Sequence, residues 1–164
     1  MLNYAKGNLI DMAEAGDFDV IVHGCNCHNV MGSGIAKEIR ERYPQAYESD
    51  TRFHQWLACD YGGSFIYEKL GSYTECMNGK ETFTIINAYT QVNFMPRGVD
   101  HFEYDSFALI LRKLAVRFPD GNFGFPYIGC GLAGGDKERI VSMLDIFANE
   151  IYKTGGTVTL VEFA

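Results

Sequence analysis

Two stretches hold the residues best suited to chemistry. One is Asp19–Glu38, containing His23-Gly-Cys-Asn-Cys-His28 and Gly32-Ser-Gly-Ile-Ala36; the other is Phe123–Asp136. Each reads as an apolar strand, then a loop with glycines, then a helix. That order gathers backbone N–H groups and the positive end of a helix at one place, which suits an anion, most often a phosphate. His23 closes the first strand and is either a core histidine with its hydrogen bonds met or a general acid. Asp136 stands just before a helix and either caps it or acts on a ligand at the same helix start. Asn26 either makes its own turn hydrogen bond or faces a ligand.

Other site classes fit poorly. Gly129, Gly131 and Gly134 spell G-x-G-x-x-G. A dinucleotide fingerprint, however, belongs in the first βαβ unit, with an acidic residue about 20 positions on. Here it precedes the last helix, and Asp145 and Glu150 fall inside that helix. Neither loop ends in the Gly-Lys-Ser/Thr of a Walker P-loop. Cys25, Cys27 and His28 are crowded, with no matching distant pair, which is poor zinc spacing. Cys130 lies between two glycines with no obvious activating base and reads as a small packed residue. Neither a metal nor a cofactor is expected.

At 164 residues, with 47% hydrophobic and 14% aromatic residues, the chain is long and apolar enough for one domain over 1–164 with a sizeable core. A net charge of −7 argues against general binding to a nucleic-acid backbone and fits a small phosphate-bearing ligand better. No apolar run approaches the roughly 20 residues of a membrane span. The first residues lack the layout of a signal peptide, and five cysteines without such a signal read as reduced thiols. A cytosolic protein without membrane partners is the expectation.

The elements that must position the two stretches follow from periodicity and breakers. Strands are expected at Leu2–Lys6, Asp19–Gly24, Tyr73–Met77, Thr82–Ala88, Phe123–Ile128 and Thr157–Phe163. Asn78-Gly79 favours a tight hairpin between the third and fourth. Helices are expected at Leu9–Ala15 capped by Asn8, at Gly34–Tyr43 with Ser33 as cap, and from Pro44 to about Cys59. Two more fall at Tyr104–Phe118 and Lys137–Lys153, with loops at Asp60–Ser64, Gln91–His101 and Gly129–Gly135. About six strands interleaved with helices, and one antiparallel hairpin, imply an α/β fold: a mixed sheet covered on both faces, in three layers.

His23-Gly-Cys-Asn-Cys and Gly32-Ser-Gly-Ile-Ala, followed by Ile128-Gly-Cys-Gly-Leu-Ala-Gly-Gly-Asp136, resemble a macrodomain. Gly7-Asn8-Leu9-Ile10 and Asn87-Ala-Tyr-Thr-Gln91 extend the resemblance over essentially the whole chain. It implies a three-layer α/β/α domain that binds ADP-ribose. Asn8 and Leu9 would lie near the adenine; the family usually carries Asp where Asn8 stands, so the chain departs from it there. Asn26 would hold the distal ribose. Gly32, Ser33, Gly34, Ile35 and Ala36, with Gly129, Cys130, Gly131, Leu132, Ala133 and Gly134, would embrace the diphosphate and ribose, and Tyr89 or a neighbouring aromatic would stack near the ligand. The loop sequences look like the branch that removes phosphate from ADP-ribose 1″-phosphate, with His23 and Asp136 as its catalytic pair. A neighbouring branch removes ADP-ribose from proteins or DNA with a lysine, where this chain carries Gln91. A non-catalytic reader of ADP-ribose is the third possibility.

Overall fold

The computed structural model describes residues 1–96, 99–129 and 134–164, with the backbone alone at 60–64. Strand β1 (Leu2–Gly7) leads to helix α1 (Leu9–Glu14), whose start is fixed by Asn8: its Oδ1 accepts from the N–H groups of Ile10 and Asp11, each at 3.0 Å. Strand β2 (Val20–Asn26) follows, then α2 (Gly34–Arg42) and α3 (Pro44–Tyr61), with Pro44 in the first turn, where its missing N–H costs nothing. A 3₁₀ segment (Gly62–Lys69) connects to β3 (Tyr73–Met77) and β4 (Thr84–Gln91). The chain closes with α4 (Tyr104–Arg117), β5 (Asn122–Phe125), α5 (Lys137–Lys153) and β6 (Thr157–Phe163).

The strands form one sheet in the order β1-β6-β5-β2-β4-β3, all parallel except the β3–β4 pair. Alternate side chains of the central strands feed two cores. Val20, Val22, Phe123 and Phe125 pack against Phe107 and Leu114 of α4 and Leu144 and Phe147 of α5. Ile21, Ile85 and Val161 pack against Ile10 of α1, Ile39 of α2 and Ala46 of α3. Burying each such side chain fully contributes roughly 1.5–3 kcal/mol, so both helix layers are tied to the sheet by area alone. The expected three layers are present. Among the described residues no helix is long and apolar enough to cross a membrane.

Two local expectations need correction. The β3–β4 connection is not a tight turn on Asn78-Gly79: it runs on to Phe83, because the buried Asn78 organises it. Asn78 Oδ1 accepts from the N–H groups of Thr82 (2.7 Å) and Phe83 (3.0 Å), and its Nδ2 donates to Thr82 Oγ1. β5 stops at Phe125, since Pro126 has no N–H to continue the ladder. The early stop frees the carboxyl end of β2 from its neighbour. β2 pairs with β5 only at Val20 and Ile21 and then runs on to Asn26 without it.

Candidate functional site

β2 and β5 are neighbours, yet the chain leaves them toward opposite faces, β2 to α2 and β5 to α5. Ligands of open α/β sheets bind in the crevice such a divergence opens beyond the carboxyl ends of the strands. Here the crevice is a cleft of about 440 Å³. Gly24, Cys25 and Asn26 form its floor, Gly32–Ala36 one wall and Pro126–Gly129 the other, with Gln91, Phe94 and Met95 at the rim. A second lobe of about 360 Å³ shares Gly34, Ile35 and Pro126 with it and reaches Asn8 and Leu9.

The wall at α2 is built for an anion. Ser33 is extended (φ −150°) and its side chain makes no capping bond, and the first turn carries no acidic residue. No described group accepts from the N–H groups of Gly34, Ile35 or Ala36. The helix therefore presents unsatisfied donors and the positive end of its dipole to the cleft. None of the described lining residues is charged, so these donors are what the cleft offers an anion. Gly24 leaves the floor open: a Cβ there would sit 3.0 Å from Thr90 Oγ1 and 3.1 Å from Ile128 Cγ1.

The structure brings together at this cleft Gly32, Ser33, Gly34, Ile35, Ala36, Gly129 and Asn26, and in the second lobe Asn8 and Leu9. Asn26 does both things its loop allowed. Its Oδ1 accepts from His28 N–H (2.9 Å) and its Nδ2 donates to the Val30 carbonyl (2.8 Å), which leaves one amide hydrogen for a ligand. Cys130, Gly131, Leu132 and Ala133 lie outside the described residues. Their loop is closed at its base by Gly135 N–H on the Gly129 carbonyl, at 2.7 Å, and Gly134 turns there with φ +71°. Asp136 comes directly after. It is exposed, does not line the described cleft, and caps α5 by accepting from the N–H groups of Glu138 (3.0 Å) and Arg139 (3.3 Å). Gln91 lines the cleft and donates to the Asn93 carbonyl at 2.8 Å.

His23 and Tyr89 are not brought to the cleft. His23 is 0% exposed and does not line the cleft. Asn87 donates through Nδ2 to the Ala46 carbonyl and Thr74 Oγ1, which turns its Oδ1 to His23, so His23 Nε2–H is the donor across 2.6 Å. Burial holds the imidazole pKa down at about 4, against the pull of the Asn87 bond and the Asp50 charge. The proton-transfer role expected of His23 is corrected accordingly: it is a neutral, enclosed imidazole that braces β2 on β4. Tyr89 is also 0% exposed, because its Oη donates to Asp50 Oδ1 (2.8 Å) and accepts from Thr74 (3.0 Å). The aromatic residues at the cleft are Phe94 and Tyr127.

The His23 environment carries a pH prediction. Between about pH 6.5 and pH 4 the unfolded chain takes up a proton that folded His23 refuses. Stability is therefore full above that window and falls as the pH falls through it, by at most about 3 kcal/mol. His54 is held low by burial and then by Lys69, and adds in the same direction. Thermal melts of His23→Gln should show a flatter slope across this range than the original protein. Identical slopes would mean that His23 exchanges freely with solvent.

One part of the site's support carries only a faint mark in the sequence. Lys69 (0% exposed) donates to Asp50 Oδ1 (1% exposed) at 2.6 Å, lies 4.5 Å above the Tyr89 ring and meets His54 Nδ1 at 3.3 Å. Tyr89 in turn packs on Cys25 and Cys27, the neighbours of Asn26, and burial raises both thiols, Cys27 to about 12. The mark is Asp50 itself, which sits among Ala46, Phe53 and Leu57, a charge on the apolar stripe of α3.

The chain has the macrodomain fold. The macrodomain of Mycobacterium tuberculosis DarG matches it with a TM-score of 0.74 at 21% identity, over 98% of this chain and 97% of that one. A Trypanosoma brucei macrodomain in complex with ADP-ribose matches with 0.67 at 16% identity, over 99% of this chain and 64% of that one. By sequence the chain is 29% identical over 157 residues to an ADP-ribose 1″-phosphate phosphatase of Candida albicans, covering 91% of this chain and 95% of the relative. It is 26% identical over 156 residues to an uncharacterized 17.5 kDa protein of Enterobacteria phage T4, covering 92% of each. No protein-family model matches the chain.

Proposed function

We propose that this protein binds ADP-ribose derivatives in the two-lobed cleft and hydrolyses ADP-ribose 1″-phosphate to ADP-ribose and inorganic phosphate. The observation that carries the reading is the waist of the cleft, where the uncapped start of α2 aims the N–H groups of Gly34, Ile35 and Ala36 at the lining shared by both lobes. A diphosphate there, with a nucleoside on the Asn8 side and a sugar on the Asn26 side, uses each part of the lining. The name of the Candida relative, and the ligand of the Trypanosoma structure, support the same ligand class.

In this reading the remaining amide hydrogen of Asn26 holds the distal ribose, and the backbone donors of the two loops stabilise charge on the transferring phosphoryl group. Asp136 takes the proton of an attacking water. The new O–P bond forms as the P–O bond to the sugar breaks. Asp136 passes the proton it took from the water to the leaving sugar oxygen, which departs as hydroxyl and leaves Asp136 a carboxylate again. His23 takes no proton step; it keeps the Asn26 end of β2 in place through Asn87. An ADP-ribosyl hydrolase is the second reading, and Gln91 in place of a lysine at the rim counts against it.

We further propose that residues 1–164 act as one domain, supported by the pairing of the first strand with the last. A cytosolic setting agrees with the free thiols of Cys25, Cys27, Cys59 and Cys76.

Phosphate release from ADP-ribose 1″-phosphate tests the reading, alongside ADP-ribose release from modified protein and DNA. Asp136→Asn is the informative variant, because Asn caps a helix as well as Asp does but cannot take the proton. Its turnover should fall about 100-fold or more with ADP-ribose still bound. Asp136→Ala should in addition lose about 1 kcal/mol of stability with the cap. Unchanged phosphate release in both would reduce Asp136 to a helix cap. ADP-ribose release without phosphate release would favour the hydrolase.

A further inference from the structure

The second lobe has mostly apolar walls, among them Leu9, Ile35 and Val161, which suit a flat ring. Its polar side chains are few. Asn8 has no acceptor to spare: Oδ1 already takes the N–H groups of Ile10 and Asp11, at 3.0 Å each. Its Nδ2 donates to Glu38 Oε1 at 3.3 Å. Glu38, one turn into α2, is the charged residue of the lobe. Arg42 holds the same Oε1 from outside at 3.4 Å and is itself anchored on Asp11 Oδ1 at 2.8 Å. Two donors thus pin one oxygen of the carboxylate, and among the described residues no hydrogen bond engages Oε2.

From this we infer that Glu38 selects the base of the bound nucleotide, accepting through Oε2 from an exocyclic amine and rejecting a base with an oxo group at that position. An ionised carboxylate only accepts, so an oxo oxygen facing it would lose its own hydrogen bond and meet a like charge. The inference rests on the proposal that the cleft binds ADP-ribose, and it adds the reason that the nucleoside is an amino-bearing one. Glu38 is thus a specificity residue and takes no part in phosphate removal.

Calorimetric titration with ADP-ribose and with its hypoxanthine counterpart, IDP-ribose, tests it. The original protein should prefer ADP-ribose by about 10-fold or more, the difference expected of one hydrogen bond to a charged group. Glu38→Gln should shrink that preference to about 2-fold or less, because the amide can turn either its oxygen or its NH₂ toward the base. Glu38→Ala, which leaves neither, should shrink it as far. Equal affinity of the original protein for the two nucleotides, or a preference unchanged in both variants, overturns the role of Glu38 and leaves ADP-ribose binding standing. Failure of the original protein to bind either nucleotide overturns both.

Discussion

Lys69→Met is expected to destabilise the protein by about 3–5 kcal/mol, the cost of stranding a buried charge. The ammonium and the Asp50 carboxylate meet at 2.6 Å with essentially no exposure of either side chain. Removing one leaves the other enclosed, with Tyr89 as its one remaining donor among the described residues. The melting temperature should fall by about 6–20 °C for a chain of this size. The pair need not be stabilising for this to hold, since a buried ion pair often does little better than apolar residues of the same shape. Lys69→Met combined with Asp50→Leu should therefore recover part of the loss, a coupling that a double-mutant cycle reads directly. A single-variant loss below about 1 kcal/mol would show that the pair is reached by solvent after all. The effect should reach the cleft, because the Tyr89 ring packs on the cysteines either side of Asn26.

The second large effect is expected at Gly129. Its φ of +72° is left-handed, and a Cβ built there would lie 2.2 Å from Phe102 Cδ1. Phe102 cannot swing aside, because it is buried with its ring edge-on to Phe107 at 5.3 Å and to Tyr104 at 5.2 Å. Gly129→Ala thus combines about 1–2 kcal/mol of left-handed strain with about 1–3 kcal/mol of overpacking. Gly16→Ala is the matched control: its φ is also positive, at +94°, but a Cβ there meets nothing within 4 Å. It should cost only the strain. Gly129 forms one wall of the cleft, and its carbonyl holds Gly135 just ahead of Asp136. Gly129→Ala should therefore weaken ADP-ribose binding about 10-fold or more, while Gly16→Ala leaves it intact. Equal destabilisation by the two would show that Phe102 yields and the wall is soft.

Much of this architecture is legible in the residues alone, for reasons that can be named. Glycine loops between an apolar strand and a helix state their own backbone requirement, so residue type and order suffice to point to the Gly32–Ala36 wall of the cleft and to Gly129 opposite it. Helix starts are equally plain, since Asn8, Pro44 and Asp136 act within a few residues of themselves. The facing of polar residues at strand ends is not legible. β2 slips register between Cys25 and Asn26, so strict alternation fails just where the floor of the cleft begins. The resemblance to a macrodomain assigns His23 and Tyr89 to a ligand, yet both side chains are 0% exposed and neither lines the cleft. Lys69 and Asp50 are 19 positions apart and meet only through tertiary packing; lysine is a residue type that ordinarily stays in water, so Lys69 does not announce its burial.

The central claim is that this cleft is a nucleotide site held by backbone donors at the start of α2. Titration calorimetry with ADP-ribose at low and high salt measures it most directly. Saturable one-to-one binding in the micromolar range or tighter is predicted, as one well-formed cleft supports. Salt dependence should be weak, because no described charged side chain lines the lobe that takes the phosphates. Absence of binding at about millimolar ADP-ribose, an affinity of no more than about 4 kcal/mol, would contradict the claim.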